Sequence, residues 1–405
     1  MFNPNHNPQS GPFASPFPTA PVQAVTKSPV QSIKPRESGL PRFVNYLADY
    51  SGCGFWRILW PELLLNQTGV ACSTSLTCMV LDPRWYRGVT AVKIQRQASD
   101  EQKKFVEFLV KVKEQAGFKL IYEVDDVVFR EEIPDYNKFK PAFDKDSIRQ
   151  NCIDIINMCD EVTVTCDYMR KLYQEKTGKK EVTVIPNFVP DLWMGHIYDR
   201  RKVYSMYDKY KSKPRVLYTG SGAHYDVDNK NNGVDDFSHV IDMVKRTVDK
   251  YQWVFVGSFP PGLTPLVQQK KIEFHPWQTL TSYPAFIDSL NAQVMIAPLF
   301  DNSFNRSKSD IKFIEACTLG VPCLVQDMET YKNAPQHLKF KTGEDLELKI
   351  DDIVKNKSQY YKNVDNYRRI AELRFLEREE NIGCHFEVLT TNFGDPKRKY
   401  LKKWN

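Results

Sequence analysis

An α/β fold of two doubly wound, Rossmann-like halves facing each other across a cleft is predicted, and three observations predict it. Short β-rich runs alternate with helical patterns along most of the chain. The alternation occurs twice, on either side of a polar, tyrosine-rich stretch from about Asp191 to Lys213 that reads as a linker. A chain of 405 residues is also long enough for two domains of ordinary size. Strands joined by helical crossovers form parallel sheets covered on both faces.

Residues 1–41 are rich in Pro, Ser, Asn and Gln and lack apolar periodicity, which reads as a disordered arm. The first series, over residues 42–195, runs "RFVNYLA", a helix from about Phe55, "LTCMVL", "VTAVKIQ", a helix over "DEQKKFVEFLVKVKEQAG", "FKLIYEV", a helix over "IRQNCIDIINMC", "EVTVTC", another helix and "EVTVIPN". The second, over residues 213–375, runs "RVLYTG", a helix over "DFSHVIDMVKRTV", "WVFVG", "KIEFHPW", a helix over "YPAFIDSLN", "AQVMIAPL", a helix within "FNRSKSDIKFIEACTLGVP" and "VPCLVQ". A long polar helix follows from about Gln359. Residues 376–405 read as a C-terminal helix and basic tail, for which a course back onto the first domain is open.

The net charge of +6 is modest and spread over both signs, so it permits an acidic partner without requiring one. Nine scattered cysteines without a C-x-x-C pair read as reduced thiols of a cytosol-like compartment. No apolar run approaches the roughly 18 to 20 residues of a membrane span, and the first residues lack a basic-then-apolar leader pattern. A soluble cytoplasmic protein without a transmembrane segment is expected.

Ligands of open α/β sheets bind beyond the carboxyl ends of the strands, which selects the polar residues to weigh. After the first strand, "YSGCGFWRI" offers Gly52 and Gly54, which permit a tight turn and close approach of a phosphate or sugar; a mere turn is the alternative. Arg57, just inside the following helix, is either a donor-binding cation or a surface charge. "LIYEVDDVVF" ends in carboxylates, of which Asp125 and Asp126 would orient a hydroxyl or act as base, or else cap a loop; Glu123 alternates to another face. Arg96 and Gln97 in "IQRQAS" share that rim, unless they belong to a solvated loop.

In the second series, "LYTGSGAHYDVDNK" places Gly220, Ser221 and Gly222 where a diphosphate can approach, with His224 to meet it or the sugar. In "FNRSKSDIKFIEACTLGVP", Ser307 and Asp310 have capping-box spacing, and Gly320 with Pro322 supplies the stop. Lys308, Lys312 and Glu315 follow i, i+4, i+7 spacing on one face, whose N-terminal end is cationic. An anion there would meet free backbone N–H groups, the helix dipole and a lysine together. The alternative is a solvated face with Lys312 paired to Glu315 or Asp310.

In this order, "YEVDDVVF", "VTVTCDYMRKLY", "VIPNFVP", "VLYTGSGAHYD" and "APLFDNSFNRSKSDIKFIEACTLGVP" resemble nucleotide-sugar glycosyltransferases of the GT-B fold, on the retaining family-four side, from about Phe43 to Gln326. The resemblance implies a nucleoside-diphosphate sugar, UDP-linked, as co-substrate, with no permanently bound cofactor and no metal. Glu315 matches the second glutamate of the family's Glu, seven residues, Glu motif, which holds the donor ribose. Backbone N–H groups near Lys308, Ser309 and Asp310 match the helix start that meets the diphosphate and sugar. His275 to Trp277 match the loop that reads the base, Asp125 and Asp126 the strand end facing the transferred sugar and acceptor, and the "GCG" turn a loop near the donor phosphates. The family's first glutamate falls at Ser307 and its usual arginine at Ser221, with Lys230 a displaced candidate for its lysine. Charge neutralisation is therefore expected from Arg306 and Lys308, and the catalytic set from Asp125, Asp126, Lys308 and His224.

The arm, the net charge and the tail residues Lys397, Arg398, Lys399, Lys402 and Lys403 suit a polyanionic acceptor. The sequence also resembles glycosyltransferases encoded by tailed bacteriophages, some of which glycosylate hydroxymethylated pyrimidines. The expected acceptor is thus a modified base in double-stranded DNA, flipped out of the duplex, in the host cytoplasm. A cell-surface glycan or lipid-linked sugar is the alternative acceptor; a catalytically silent GT-B-like module for DNA binding or assembly is the alternative class.

Overall fold

The structure, a computed structural model, describes residues 39–404 apart from 191, 194–204, 206, 210, 211, 228–230 and 232. The arm as far as residue 38, most of the tyrosine-rich stretch and Lys230 lie outside the described residues.

The first six strands, β1 (Arg42–Tyr46), β2 (Cys72–Leu76), β3 (Ala91–Gln95), β4 (Lys119–Glu123), β5 (Glu161–Val164) and β6 (Val182–Val184), form one parallel sheet in the order β2-β1-β3-β4-β5-β6. A second parallel sheet has the order β12-β11-β10-β7-β8-β9 and is built from β7 (Arg215–Gly220), β8 (Gln252–Gly257), β9 (Glu273–Pro276), β10 (Val294–Ala297), β11 (Cys323–Gln326) and β12 (Lys339–Phe340). Strand order reverses between β1 and β3 in the first sheet and between β7 and β10 in the second. Those are the two switch points where such sheets bind ligands.

Central strands are apolar on both sides because both faces are covered. Val92, Ile94, Leu120 and Tyr122 pack with Phe105 and Leu109 of the helix Asp100–Ala116 on one face of the first sheet. Phe43, Ala91 and Ile121 pack on the other face under Cys384, Val388 and Leu389 of the helix Glu379–Thr390. The last helix therefore sits on the first sheet. The chain crosses between the halves near Val189, whose N–H donates to Arg374 O at 2.7 Å and whose carbonyl accepts from Leu376 N–H at 2.9 Å.

Several expected elements differ. "LTCMVL" is not the strand; β2 lies earlier, at "CSTSL", a polar edge strand. Its Ser73 accepts from Asn45 and its Ser75 donates to Glu62, whereas Met79 and Leu81 are exposed. The helix expected over "DFSHVIDMVKRTV" is regular only over Ile241–Arg246. The short strand β12 and the helix Gly343–Lys355 were not predicted.

The tail departs most from its expected role. Arg398 is buried and bonds Glu161 through both terminal nitrogens, at 2.7 and 2.6 Å. Lys399 pairs with Glu379 and Lys403 with Glu380, at 3.4 and 3.8 Å. Arg398 is thus withdrawn from the surface charge of the tail, while Lys399 and Lys403 remain exposed beside those carboxylates.

Candidate active site

The "FNRSKSDIKFIEACTLGVP" segment is two helices, Ser303–Arg306 and Ile311–Thr318, with a break between them. The capping box does not form. Ser307 Oγ donates back to Ser303 O at 2.9 Å, and the helix Ile311–Thr318 begins at Asp310, whose carboxylate is turned away to Arg374. The break leaves Lys308 and Ser309 in a loop at the carboxyl end of β10, next to the first-turn N–H groups of the second helix.

Lys312 and Glu315 point inward rather than to solvent. Lys312 Nζ lies 3.3 Å from Tyr218 Oη and 3.4 Å from His224 Nε2, with the Tyr218 ring centroid at 4.6 Å. Burial, with Lys308 as like-charged neighbour, pushes Lys312 down to about 8. Burial pushes the Glu315 carboxyl up to about 8, against a 3.3 Å hydrogen bond from Tyr283 Oη. A salt-bridged exposed face is therefore excluded; the two residues turn a half-buried cation toward Tyr218 and His224 and a buried acid toward Tyr283.

The loop after β7 meets them. Gly220 is required by its neighbour, because a Cβ there would lie 2.4 Å from Tyr218 Oη. Ser221 accepts from Ala223 N–H, and Gly222 faces the first half, with Lys138 Nζ 3.2 Å from where its Cβ would be. His224 is buried, and burial together with Lys312 pushes its imidazole down to about 4, so it is neutral at pH 7. Its Nδ1 sits 2.6 Å from Asp236 Oδ2. Trp277 reaches the same loop by way of Gly257 (φ +91°), whose Cβ would lie 2.5 Å from Gly220 O and 3.0 Å from the indole. Trp277 is 61% exposed, whereas His275 is engaged by Glu273 at 2.7 Å and packs against Phe286.

The carboxyl edge of the first sheet forms a separate cluster around its own switch point. Asp49 and Asp125 flank Arg96, which sits at φ +48°. Burial raises the Asp125 carboxyl although Arg96 opposes the shift, and its Oδ1 has no hydrogen-bond partner. Asp126 follows; its Oδ1 accepts from Val127 N–H at 2.9 Å. Gly54 makes the turn before them possible, since a Cβ would lie 1.9 Å from Asp49 O, while Gly52 has open space at that position.

Two predicted donor-binding cations stand apart. Arg57 is 1% exposed and is neither a surface charge nor a ligand-facing one. It bonds Glu123 at 2.7 Å, Ile185 O at 2.6 Å and Asn187 at 3.0 Å beneath the sheet edge. Arg306 turns outward to Asp301 at 2.7 and 2.8 Å. Lys312, not Arg306, is the cation the fold aims at the second switch point beside Lys308.

Loops from the two sheets meet across the cleft. Tyr136, after β4, donates to Asp236 at 2.8 Å; Asn187, after β6, donates to Ser309 at 2.9 Å; Cys166 approaches Ser307 O at 3.5 Å. Phe304 inserts into the first core, and Trp56 packs with the second. Tyr136, Lys138, Tyr218, Asp236 and Tyr283 were not singled out in the sequence. Asp236, in "GVDDFSHV", is the one with a legible signal: an acidic pair between the glycine loop and the helix Ile241–Arg246.

Among the described residues, no group of three or more His, Cys, Asp or Glu could hold a metal ion, and no helix is long and apolar enough to cross a membrane.

No family model matches the chain, and no curated protein matches its sequence. Solved structures match its fold. HepE (Alr3699) of Anabaena in complex with UDP superposes over 87% of this chain and 100% of its own, with a TM-score of 0.59 and 10% identity. Its UDP-glucose complex covers 86% and 100%, with a TM-score of 0.57 and 11% identity. Its complex with UDP and glucose covers 87% and 100%, with a TM-score of 0.56 and 10% identity. At that identity the likeness is one of fold: the chain has the GT-B architecture, two parallel six-stranded α/β halves.

Proposed function

We propose that the chain is a glycosyltransferase that moves a sugar from a nucleoside-diphosphate donor, UDP-linked, to a hydroxyl acceptor. The observation that carries this reading is the inward-facing pair Lys312 and Glu315 on one helix face at the switch point of the second sheet. A solvated helix has no use for a half-buried cation beside a buried acid, neither of them in an ion pair among the described residues, whereas a nucleotide supplies partners for both. That HepE, of like fold, binds UDP and UDP-glucose supports the same donor class.

In this reading Glu315 accepts from the ribose hydroxyls, and Lys312, Lys308 and the N–H groups near Ser309 and Asp310 face the diphosphate. The glycine loop Gly220–Gly222 lets the diphosphate approach, and the exposed face of Trp277 offers a platform for the base. As the bond from the anomeric carbon to the diphosphate breaks, negative charge grows on the leaving oxygens. Fixed cations and N–H dipoles already aimed there are the main source of rate enhancement. The new bond forms to an acceptor hydroxyl, whose proton leaves to a base. Asp125, its carboxyl raised by burial and set beside Arg96 and Cys53, takes that role, with Asp126 beside it.

The finer reading of the acceptor is a hydroxymethylated pyrimidine in DNA of a phage-encoded system, and it rests on the net charge of +6 and the exposed tail lysines now that Arg398 is engaged internally. UDP-glucose hydrolysis and UDP binding, measured on wild type, Lys312→Ala and Glu315→Ala, test the donor side. Lys312→Ala should lower turnover on the order of 100-fold, and Glu315→Ala should weaken UDP binding about tenfold or more. Unchanged turnover and binding in both variants would end the reading. Transfer of labelled glucose to hydroxymethylated DNA, plain DNA and a glycan separates the acceptors; transfer to the glycan alone would remove DNA.

A further inference from the structure

Asp236 carries four polar contacts and is fully buried, more than a loop carboxylate needs for its own sake. Oδ2 meets His224 Nδ1 at 2.6 Å; Oδ1 accepts from Tyr136 Oη at 2.8 Å, Asn305 Nδ2 at 2.6 Å and Phe300 N–H at 2.9 Å. Burial would raise this carboxyl, but the bonds from His224, Phe300 and Tyr136 outweigh it and hold it below its ordinary range. It is therefore an anion, and the His224 nitrogen facing it carries the ring proton. The other nitrogen, Nε2, is left as an acceptor, and it faces Lys312 Nζ.

Tyr136 belongs to the other half of the molecule. Its hydroxyl accepts from Asn302 Nδ2 at 3.0 Å and Asn305 Nδ2 at 2.9 Å while donating to Asp236, so three second-half side chains converge on one first-half hydroxyl. We infer that Tyr136 and Asp236 are positioning residues of the donor site. Through His224, they fix the Lys312 ammonium when the first half closes onto the second.

This inference rests on the donor reading above and adds to it a coupling between closure and the placement of the cation. The charged and titratable groups around Lys312 are Glu315 on its own helix, Lys308 before it, Tyr218 on β7, His224 and Asp236 after β7, and Cys323 on β11. Of the two acids, Asp236 acts through a hydrogen-bonded imidazole. Removing its charge lowers the pH at which Lys312 loses its proton.

The test uses the full chain, with UDP as probe in calorimetry from pH 6 to 9.5 and UDP-glucose hydrolysis for turnover. Wild-type affinity should peak near pH 8, rising below it as Glu315 ionises and falling above it as Lys312 loses its proton, and the midpoint of the falling limb is read. Asp236→Asn should move that midpoint to lower pH by about half a unit or more. Tyr136→Phe should lower kcat about tenfold while KM changes little, because it loosens closure without touching the nucleotide pocket. It removes a single hydroxyl and keeps the test open if Asp236→Asn does not fold. Wild-type protein that binds no UDP would overturn the donor reading itself. Wild type that binds UDP, with an unmoved midpoint in Asp236→Asn or wild-type kcat in Tyr136→Phe, would overturn only the coupling.

Discussion

Arg374 and Asp310 form a two-pronged ion pair, Nη1 to Oδ2 and Nη2 to Oδ1, both at 3.0 Å, and the same guanidinium bonds Asn187 O at 2.7 Å. One side chain therefore ties the crossover to the start of the helix that bears Lys312 and Glu315. Arg374→Ala leaves a partly buried carboxylate and a carbonyl without their donor. We expect a loss of about 2 kcal/mol or more of stability, by urea denaturation, and weaker UDP binding. Arg374→Lys, a single point charge, should recover only part of either.

Glu315 gives the protein a pH signature. Its folded carboxyl is raised from 4.5 to about 8, so above pH 4.5 the unfolded chain has lost a proton that the native state keeps. Stability from this group is full below pH 4.5 and is lost as pH rises through about 8, at up to ~1.4 kcal/mol per pH unit. Lys312, pushed down to about 8, acts with opposite sign above that value. Between pH 5 and 7 Glu315→Gln should flatten the decline of the melting temperature seen in wild type. UDP, whose ribose would meet the ionised carboxylate, should release protons on binding at pH 7, measured by calorimetry in buffers of differing ionisation enthalpy.

The two glycines of "GCG" should behave oppositely. Gly54→Ala sets a Cβ 1.9 Å from the Asp49 carbonyl oxygen, a backbone atom that cannot yield without moving the turn. A loss of ~3 kcal/mol or failure to fold is expected. Gly52→Ala meets nothing within 4 Å and should melt within a degree or two of wild type. Thermal denaturation checks the pair for stability, and UDP titration of Gly52→Ala distinguishes a structural turn from a phosphate loop, because only the latter would make that variant cost UDP affinity.

On the proposed donor reading, Lys308 and Lys312 neutralise the leaving diphosphate without a divalent cation. UDP-glucose hydrolysis should survive EDTA within twofold and gain little from added magnesium. Activity abolished by EDTA and restored by a divalent ion would reassign the carboxylates of "EVDDV" to a metal.

Strand alternation was legible because parallel strands covered on both faces are mostly apolar, as at Val294–Ala297, and even Ala91–Gln95 admits only Lys93 and Gln95 among its buried residues. β2 was not, since an edge strand closed by Asn45 and Glu62 hydrogen bonds reads as a polar loop. On the site, periodicity put Lys312 and Glu315 on one face but could not say which way the face turned. Arg57 looked like a free cation at a strand end, because its partners Glu123, Ile185 and Asn187 lie at least 66 residues away. Asp236 and Tyr136 were invisible as a pair for the same reason, 100 positions separating them. The capping box failed because Asp310 had a remote and stronger partner in Arg374.

The engagement of Arg398 by Glu161 has a consequence for synthesis. The carboxylate lies on the fifth strand and its guanidinium partner 237 positions later, while Lys119 Nζ reaches the carbonyls of Val388 and Thr391 at 2.8 and 2.7 Å. As the chain leaves the ribosome, the first sheet emerges early, yet one of its faces stays uncovered, with Glu161 answered only by Lys119 and Thr183, until residues 379–398 arrive. The half of the fold made first is thus finished after the half made second, and long-range closure of this kind slows folding. A chain cut after the first six strands should expose that face and aggregate rather than fold as an independent unit.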